Sequence, residues 1–313
     1  MILEVEALHH SFRQGFWLKP KKILEAVSFQ ISEKSIYGLL GANGAGKTSL
    51  IHLIVGLRRP TGGTVKFRGQ ESSSKKARSK MGYLPERPYF HEHLTGEGFL
   101  RFFGTLSGMD RPRMIARIEK VLNTVGMNYG RNTLLKDYSK GMLQRIGVAQ
   151  AILHDPEFLV LDEPMSGLDP MGRKDMRDLI SGLASEGRTV FFSTHLISDA
   201  EMICDQVGVL KEGRLVKSGS SESVLGRPSH YEIHLKGKPD WEPFKKFAAA
   251  EGISITAGLN LHRLVLNLYP DDLLKKTLNL ILDQKLEIVS LQTVRSDFDL
   301  FREKLPVREI RSA

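Results

Sequence analysis

Polar and apolar residues alternate at the start of this chain, and the alternation sets its first elements. Met1-Ile2-Leu3-Glu4-Val5-Glu6 and Val27-Ser28-Phe29-Gln30-Ile31 repeat with a period of two, as strands with one buried face do. Ile36-Tyr37-Gly38-Leu39-Leu40 is apolar throughout, as in a strand covered on both faces. Helical character follows at residues 50–55, then a Pro-Gly turn at 59–63, a short strand at 64–67, and a buried strand at 81–84 ending in Pro85-Glu86. From residue 94 to about 137 the apolar spacing becomes helical. Phe99, Leu100, Phe102, Phe103 and Leu106 form one packing set, and Met114, Ile115, Ile118, Val121, Leu122 and Val125 form another.

The second half keeps this rhythm. An amphipathic helix after residues 138–142 runs through Leu153 and stops at Asp155-Pro156. Phe158-Leu159-Val160-Leu161 is a fully apolar strand ending in Asp162-Glu163, and Thr189-Val190-Phe191-Phe192-Ser193 is another, ending in Thr194-His195. Between them residues 166–170 make a turn that opens a helix. Strands alternating with helices predict a parallel sheet with helices on both faces. Carboxylates at the C-terminal end of such a strand stand where an open α/β sheet places its chemistry. A hairpin over 207–216 turns at Glu212-Gly213, and Gly226-Arg227-Pro228 reads as a linker. Beyond it the order is strand 231–235, helix 241–250, strand 253–257, strand 264–268, helix 271–283 and strand 286–291, with a last helix near 297–304. That β-α-β-β-α-β order predicts a small ferredoxin-like module without a catalytic constellation.

One stretch carries specific chemistry. Gly41-Ala42-Asn43-Gly44-Ala45-Gly46-Lys47-Thr48-Ser49 fits the phosphate-loop pattern, with a strand leading in and a helix leading out. Glycines let the backbone wrap phosphate oxygens, and the N–H groups of Gly41, Asn43, Gly44, Ala45, Gly46 and Ser49 belong to the predicted cradle. Lys47 would bridge the β- and γ-phosphates, and the Thr48 hydroxyl would ligate Mg²⁺. The chain therefore reads as a nucleotide-binding protein.

Composition narrows the setting. The 313 residues suffice for one large domain and a smaller one, and a single cysteine excludes an internal disulfide. The N-terminus lacks the plan of a signal peptide, and no apolar run approaches the ~18 residues of a membrane span, so a membrane role would need a partner. The net charge of +9 is uneven: residues 58–80 hold Arg58, Arg59, Lys66, Arg68, Lys75, Lys76, Arg78 and Lys80 against Glu71. Phe67 is the one aromatic residue among these charges, where a nucleic-acid platform would need several, so this reads as a solvated basic face and no nucleic-acid partner is expected.

With these motifs in order, the sequence resembles the ATP-binding subunit of an ATP-binding cassette (ABC) transporter over residues 1–226. The carriers are the phosphate loop, a signature at Tyr138-Ser139-Lys140-Gly141-Met142, Phe158–Glu163, the turn Ser166–Asp169, and His195. The resemblance implies a phosphate-loop NTPase core with a mostly parallel sheet, an antiparallel β subdomain and a helical subdomain at about 87–140, followed by an accessory domain over 227–313. Phe12 would stack on adenine. Asp162 would orient Mg²⁺, Glu163 would be the general base, and His195 would contact the γ-phosphate and hold Glu163. A homodimer, head to tail, would close Ser139 and Gly141 of one copy over ATP held by the other, with Asp169 coupling the two sites. The residues 87–137 would receive an integral-membrane permease subunit, placing the protein on the inner face of the cell membrane. A soluble ABC ATPase acting on ribosomes or nucleic acid is the alternative, and a single cassette without zinc-ligand clusters argues against it. Departures from the family pattern are Tyr138, Lys140 and Met142 in the signature, Phe12 for tyrosine, and Glu86 for glutamine at a further expected Mg²⁺ position.

Overall fold

The computed structural model describes residues 1–12, 21–225, 230–236, 240–251, 255–257, 262–267 and 271–294. Most of the loop expected at 14–22, the linker at 226–228 and the helix near 297–304 lie outside them. The chain divides into two compact units, Met1–Leu225 and Gly226–Ala313.

The first unit is built on two sheets. β1 (Leu3–Phe12) and β2 (Lys21–Ile31) pair antiparallel, and β4 (Gly62–Phe67) with β5 (Gln70–Glu71) extends them in the order β2-β1-β4-β5. β2 alternates buried and exposed positions as its sequence does. The second sheet has β3 (Ile36–Leu40), β6 (Met81–Leu84), β7 (Phe158–Leu161), β8 (Thr189–Thr194), β9 (Gln206–Lys211) and β10 (Arg214–Ser220), in the order β10-β9-β3-β8-β7-β6. Five of its strands are parallel, and β10 returns antiparallel at the edge. β3, β7 and β8 are buried at every position, because helices cover one face and the first sheet covers the other.

The alternation within β7 divides the core. Leu159 and Leu161 join the cluster of the helical region, while Phe158 and Val160 join the cluster beneath β1 and β2. α1 (Lys47–Ile54) follows β3, and the short α2 (Lys75–Arg78) precedes β6. Two helices, α3 (Gly96–Leu106) and α4 (Arg111–Thr124), then occupy the predicted helical stretch, capped by Thr95 and Asp110. Phe102, Leu106 and Ile115, assigned above to packing sets, are exposed. Leu106 ends α3, where its stripe outruns the surface it packs on. α5 (Lys140–Ile152), α6 (Pro170–Ser185), α7 (Ile197–Ile203) and α8 (Ser221–Leu225) complete the unit.

In the second unit β11 (His230–Lys236), α9 (Trp241–Glu251), β12 (Ile255–Ala257), β13 (His262–Asn267), α10 (Asp271–Asp283) and β14 (Glu287–Val294) follow in that order. Their antiparallel sheet, ordered β12-β13-β11-β14, is the ferredoxin-like arrangement that the element order predicts. Ile233, Leu235, Phe244 and Ile281 form its buried core.

Candidate active site

Register places the site. Leu40 pairs with Thr194, Phe192 with Leu161, and Leu161 with Leu84, so the C-terminal ends of β3, β8, β7 and β6 lie in a row. Each strand hands its chemistry to the same edge: the phosphate loop, His195, Asp162-Glu163 and Glu86. A cavity of about 400 Å³ opens there, lined by Asn43, Gly44, Gly46, Lys47, Thr48, Ser49, Glu86, Glu163 and His195, with Ile23, Ala42 and Ser166.

The loop needs its glycines. Gly46 sits at φ 107 before α1, and a β-carbon there would press on Leu24 at 3.0 Å. Gly44, at φ 83, has open space where a side chain would stand, so the backbone itself faces the cavity. Gly41 and Ala45 hold the loop from behind: Gly41 donates its N–H to the Thr194 carbonyl, and Ala45 accepts from Gly213.

Three ionic side chains meet at its floor. Lys47, 6% exposed, donates to the Gly41 carbonyl at 2.6 Å, and its Nζ lies 3.0 Å from Glu163 Oε1. Glu163 Oε1 nevertheless makes no well-aligned hydrogen bond. His195 Nδ1–H donates to the other oxygen, Oε2, at 2.9 Å. Glu163 has φ 49, a left-handed backbone that costs a non-glycine residue about 1 kcal/mol or more. Strain is retained where the surrounding structure fixes it. Here Ser193 Oγ accepts the Glu163 N–H at 2.9 Å and donates to Asp162 Oδ1 at 2.6 Å, tying the Glu163 backbone and the Asp162 carboxylate to β8.

Asp162 is fully buried, and its Oδ2 has no hydrogen-bond partner among the described residues. Burial pushes its carboxyl above the usual range, Ser193 and Thr48 pull it down, and the charges of Glu86 and Glu163 push it up again. A divalent cation would answer both the bare oxygen and the crowding of negative charge, so Asp162, Thr48 and Glu86 form a donor set that fits Mg²⁺.

Ser193 and the support of His195 were not singled out in the sequence. Asp199, 1% exposed, receives Arg173 at 2.5 Å and Arg177 at 2.9 Å, and Thr194 Oγ1 approaches it at 3.4 Å. The same hydroxyl accepts the Leu196 N–H, which pins the turn holding His195. Arg173 and Arg177, one turn apart on α6, were the available signal, as was one serine in the apolar run of β8.

The signature residues lie elsewhere. Ser139, Gly141 and Asp169 line a second cavity of about 360 Å³ with Met142, Arg145 and Gly172, and it shares no lining residue with the first. Ser139 caps α5 by accepting the Met142 N–H, and Asp169 caps α6 by accepting from Gly172 at 3.0 Å. Tyr138 is explained locally: its hydroxyl donates to the buried Gly130 carbonyl at 2.8 Å, in space left by Gly96. Phe12 does not line the phosphate cavity. It is 45% exposed, with the Arg58 guanidinium 5.7 Å from its ring centre.

The family model for ABC transporters matches residues 24–166. An uncharacterized ABC transporter ATP-binding protein from Nostoc sp. is 42% identical over 246 residues, covering 77% of this chain and 73% of that protein. The bacitracin transport ATP-binding protein BcrA of Enterococcus faecalis is 40% identical over 212 residues, 67% of this chain and 68% of that one. Among solved structures, an ATP-binding subunit of an ABC transporter matches with a TM-score of 0.62 at 28% identity, covering 71% of this chain and 91% of that chain. A dimeric ATP-binding cassette bound to ADP and phosphate matches in fold, with a TM-score of 0.64 at 21% identity, covering 70% and 99%. With a phosphate loop, a paired carboxylate and histidine, and a signature on a face of its own, the chain belongs to the ABC transporter family as an ATP-binding, ATP-hydrolysing subunit.

Proposed function

We propose that two copies of this chain close head to tail on two molecules of Mg²⁺·ATP and that hydrolysis drives a separate integral-membrane permease. The carrying observation is the pair of cavities. One holds Lys47, Glu163 and His195, and the other presents Ser139 and Gly141 at a helix N-terminus that faces no phosphate loop of its own. A helix N-terminus is an anion site, and a second copy supplies the anion. A cassette similar in fold, bound to ADP and phosphate, is dimeric, which is consistent with a two-copy assembly.

Within each site, loop N–H groups and Lys47 hold the β- and γ-phosphates, and Phe12 offers its exposed ring to the adenine. Thr48, Asp162 and Glu86 would hold Mg²⁺, which would offset the negative charge of the phosphates. Glu163 takes a proton from water as the water oxygen bonds to the γ-phosphorus; the bond to the ADP oxygen breaks, and ADP and phosphate leave. His195 keeps the Glu163 carboxylate in line through Oε2. Asp169 links the two sites across the interface. The helical region between Glu86 and Asp137 receives the permease on the inner face of the cell membrane. No helix among the described residues is long and apolar enough to cross a membrane. The second unit is accessory and takes no part in catalysis.

The test is Glu163→Gln. Steady turnover should fall by about 10²–10⁴-fold, since an amide takes no proton, while ATP binding persists and a dimer appears in sedimentation only with ATP. Near-normal hydrolysis, or a monomer at saturating Mg²⁺·ATP, would overturn the reading.

A further inference from the structure

Two of the chain's departures from its family's pattern carry opposite charge, and each is badly placed within a single subunit. Glu86 adds a third carboxylate beside Asp162 and Glu163, and its charge already acts on Asp162. Among the described residues, Lys47 is the one lysine or arginine lining that cavity. Among the described residues the ion pair that Glu86 makes is with Arg87, at 4.0 Å, on a side chain 94% exposed, which is too solvated to offset much of its charge. When Mg²⁺·ATP arrives, the cation would offset part of this charge, and the remainder opposes the γ-phosphate.

Lys140 has the converse problem. It is the first residue of α5, at the positive end of the helix dipole, and the first turn contains no acid to offset it. Among the described residues no carboxylate lies within 4.0 Å of it. Its ammonium lies instead against the backbone of Gly167: a β-carbon on that glycine would fall 1.8 Å from Nζ. Gly167 has φ 67, so the turn favours glycine, and the lysine rests where no side chain stands. Lys140 sits between Ser139 and Gly141, which line the second cavity.

We propose that Lys140 of one copy neutralises Glu86 of the other across the composite site. The inference rests on the head-to-tail reading above and goes beyond it: the altered signature and the altered Mg²⁺ position are one adaptation, divided between two subunits. A negative charge that Mg²⁺ would offset only in part in the open monomer gains a further counter-charge when the second copy closes. Closure, rather than ATP capture, therefore becomes the step at which the site reaches full affinity for the γ-phosphate.

A double-mutant cycle on the full-length chain tests it, with Lys140→Met and Glu86→Gln made singly and together in the Glu163→Gln background. ATP-dependent dimerisation is measured by sedimentation at fixed Mg²⁺·ATP, and nucleotide binding and circular dichroism of each monomer check that the variants fold. Lys140→Met should weaken the dimer about tenfold, and Glu86→Gln should remove most of that loss, as contacting charges couple. A further variant reversing both charges, Lys140→Glu with Glu86→Lys, should dimerise better than either reversal alone. Effects that multiply within about a factor of two, with no recovery in the double reversal, overturn the pairing and leave the composite site standing. If the Glu163→Gln parent itself forms no ATP-dependent dimer, the head-to-tail reading fails and takes the pairing with it.

Discussion

The two cavities of the first unit are built on opposite principles. In the phosphate cavity the polar groups are buried, crowded and partly unmatched: Asp162 Oδ2 has no partner, Glu163 sits on a left-handed backbone, and Lys47 rests on loop carbonyls. In the signature cavity the Ser139, Asp169 and Arg145 side chains are matched within their own chain. Ser139 and Asp169 cap helices, and Arg145 pairs with Asp175 at 2.7 Å while also donating to the Val125 carbonyl. The first surface is incomplete without a ligand. The second is a finished scaffold, and its function lies in what it offers to another molecule. Unmatched buried polarity marks the place where a ligand binds; matched exposed polarity marks a place that must stay rigid until docking.

The comparison can be strained at its most buried point. Asp199→Ala leaves Arg173 and Arg177 without their shared acceptor and releases the turn carrying His195. Breaking such a buried ionic group should cost about 3 kcal/mol in thermal or denaturant unfolding. Turnover should drop further than the folded fraction does. A variant with unchanged stability would mean that the network is not holding β8 to α6. A smaller effect is expected on the signature side. Tyr138→Phe removes one hydrogen bond to the buried Gly130 carbonyl and should cost about 1 kcal/mol in unfolding, with ATP binding by the monomer unaltered. Loss of monomer ATP binding would show that the two cavities communicate inside one chain. The smallest effect belongs to Asp169→Asn. Asparagine caps a helix about as well as aspartate, so stability should move by less than about 0.5 kcal/mol. Turnover of the dimer is then a direct reading of Asp169 across the interface, and an unaffected rate would confine it to capping α6.

Much of this was legible in the sequence because the signals were local. The phosphate loop, the apolar run into Asp162-Glu163 and the break after Ser193 each occupy a few adjacent residues, and strand register then brings their ends together. Period-two and helical spacing gave the order of elements in both units, including the β-α-β-β-α-β module. The supporting contacts were not legible, because each joins positions far apart in the chain. Ser193 reads as a polar interruption in a strand until its hydroxyl is seen between Asp162 and the Glu163 N–H, and Asp199 reads as a helix-surface acid until two arginines of α6 enclose it. Tyr138 looks like a weakened signature in sequence, and only the space above Gly96 shows where its hydroxyl goes. The exposure of Phe102 and Ile115 was missed because helical spacing tells which residues share a stripe, not how far the neighbouring surface extends beneath it.

The left-handed backbone at Glu163 has an evolutionary side. Glycine adopts φ 49 freely, and the replacement would relax the chain there by about 1 kcal/mol while removing the carboxylate. That relief is set against the loss of the carboxylate from Lys47, which it meets at 3.0 Å in a buried setting. The strained backbone is thus maintained, generation by generation, by the demand for turnover and by the charge it holds beside Lys47.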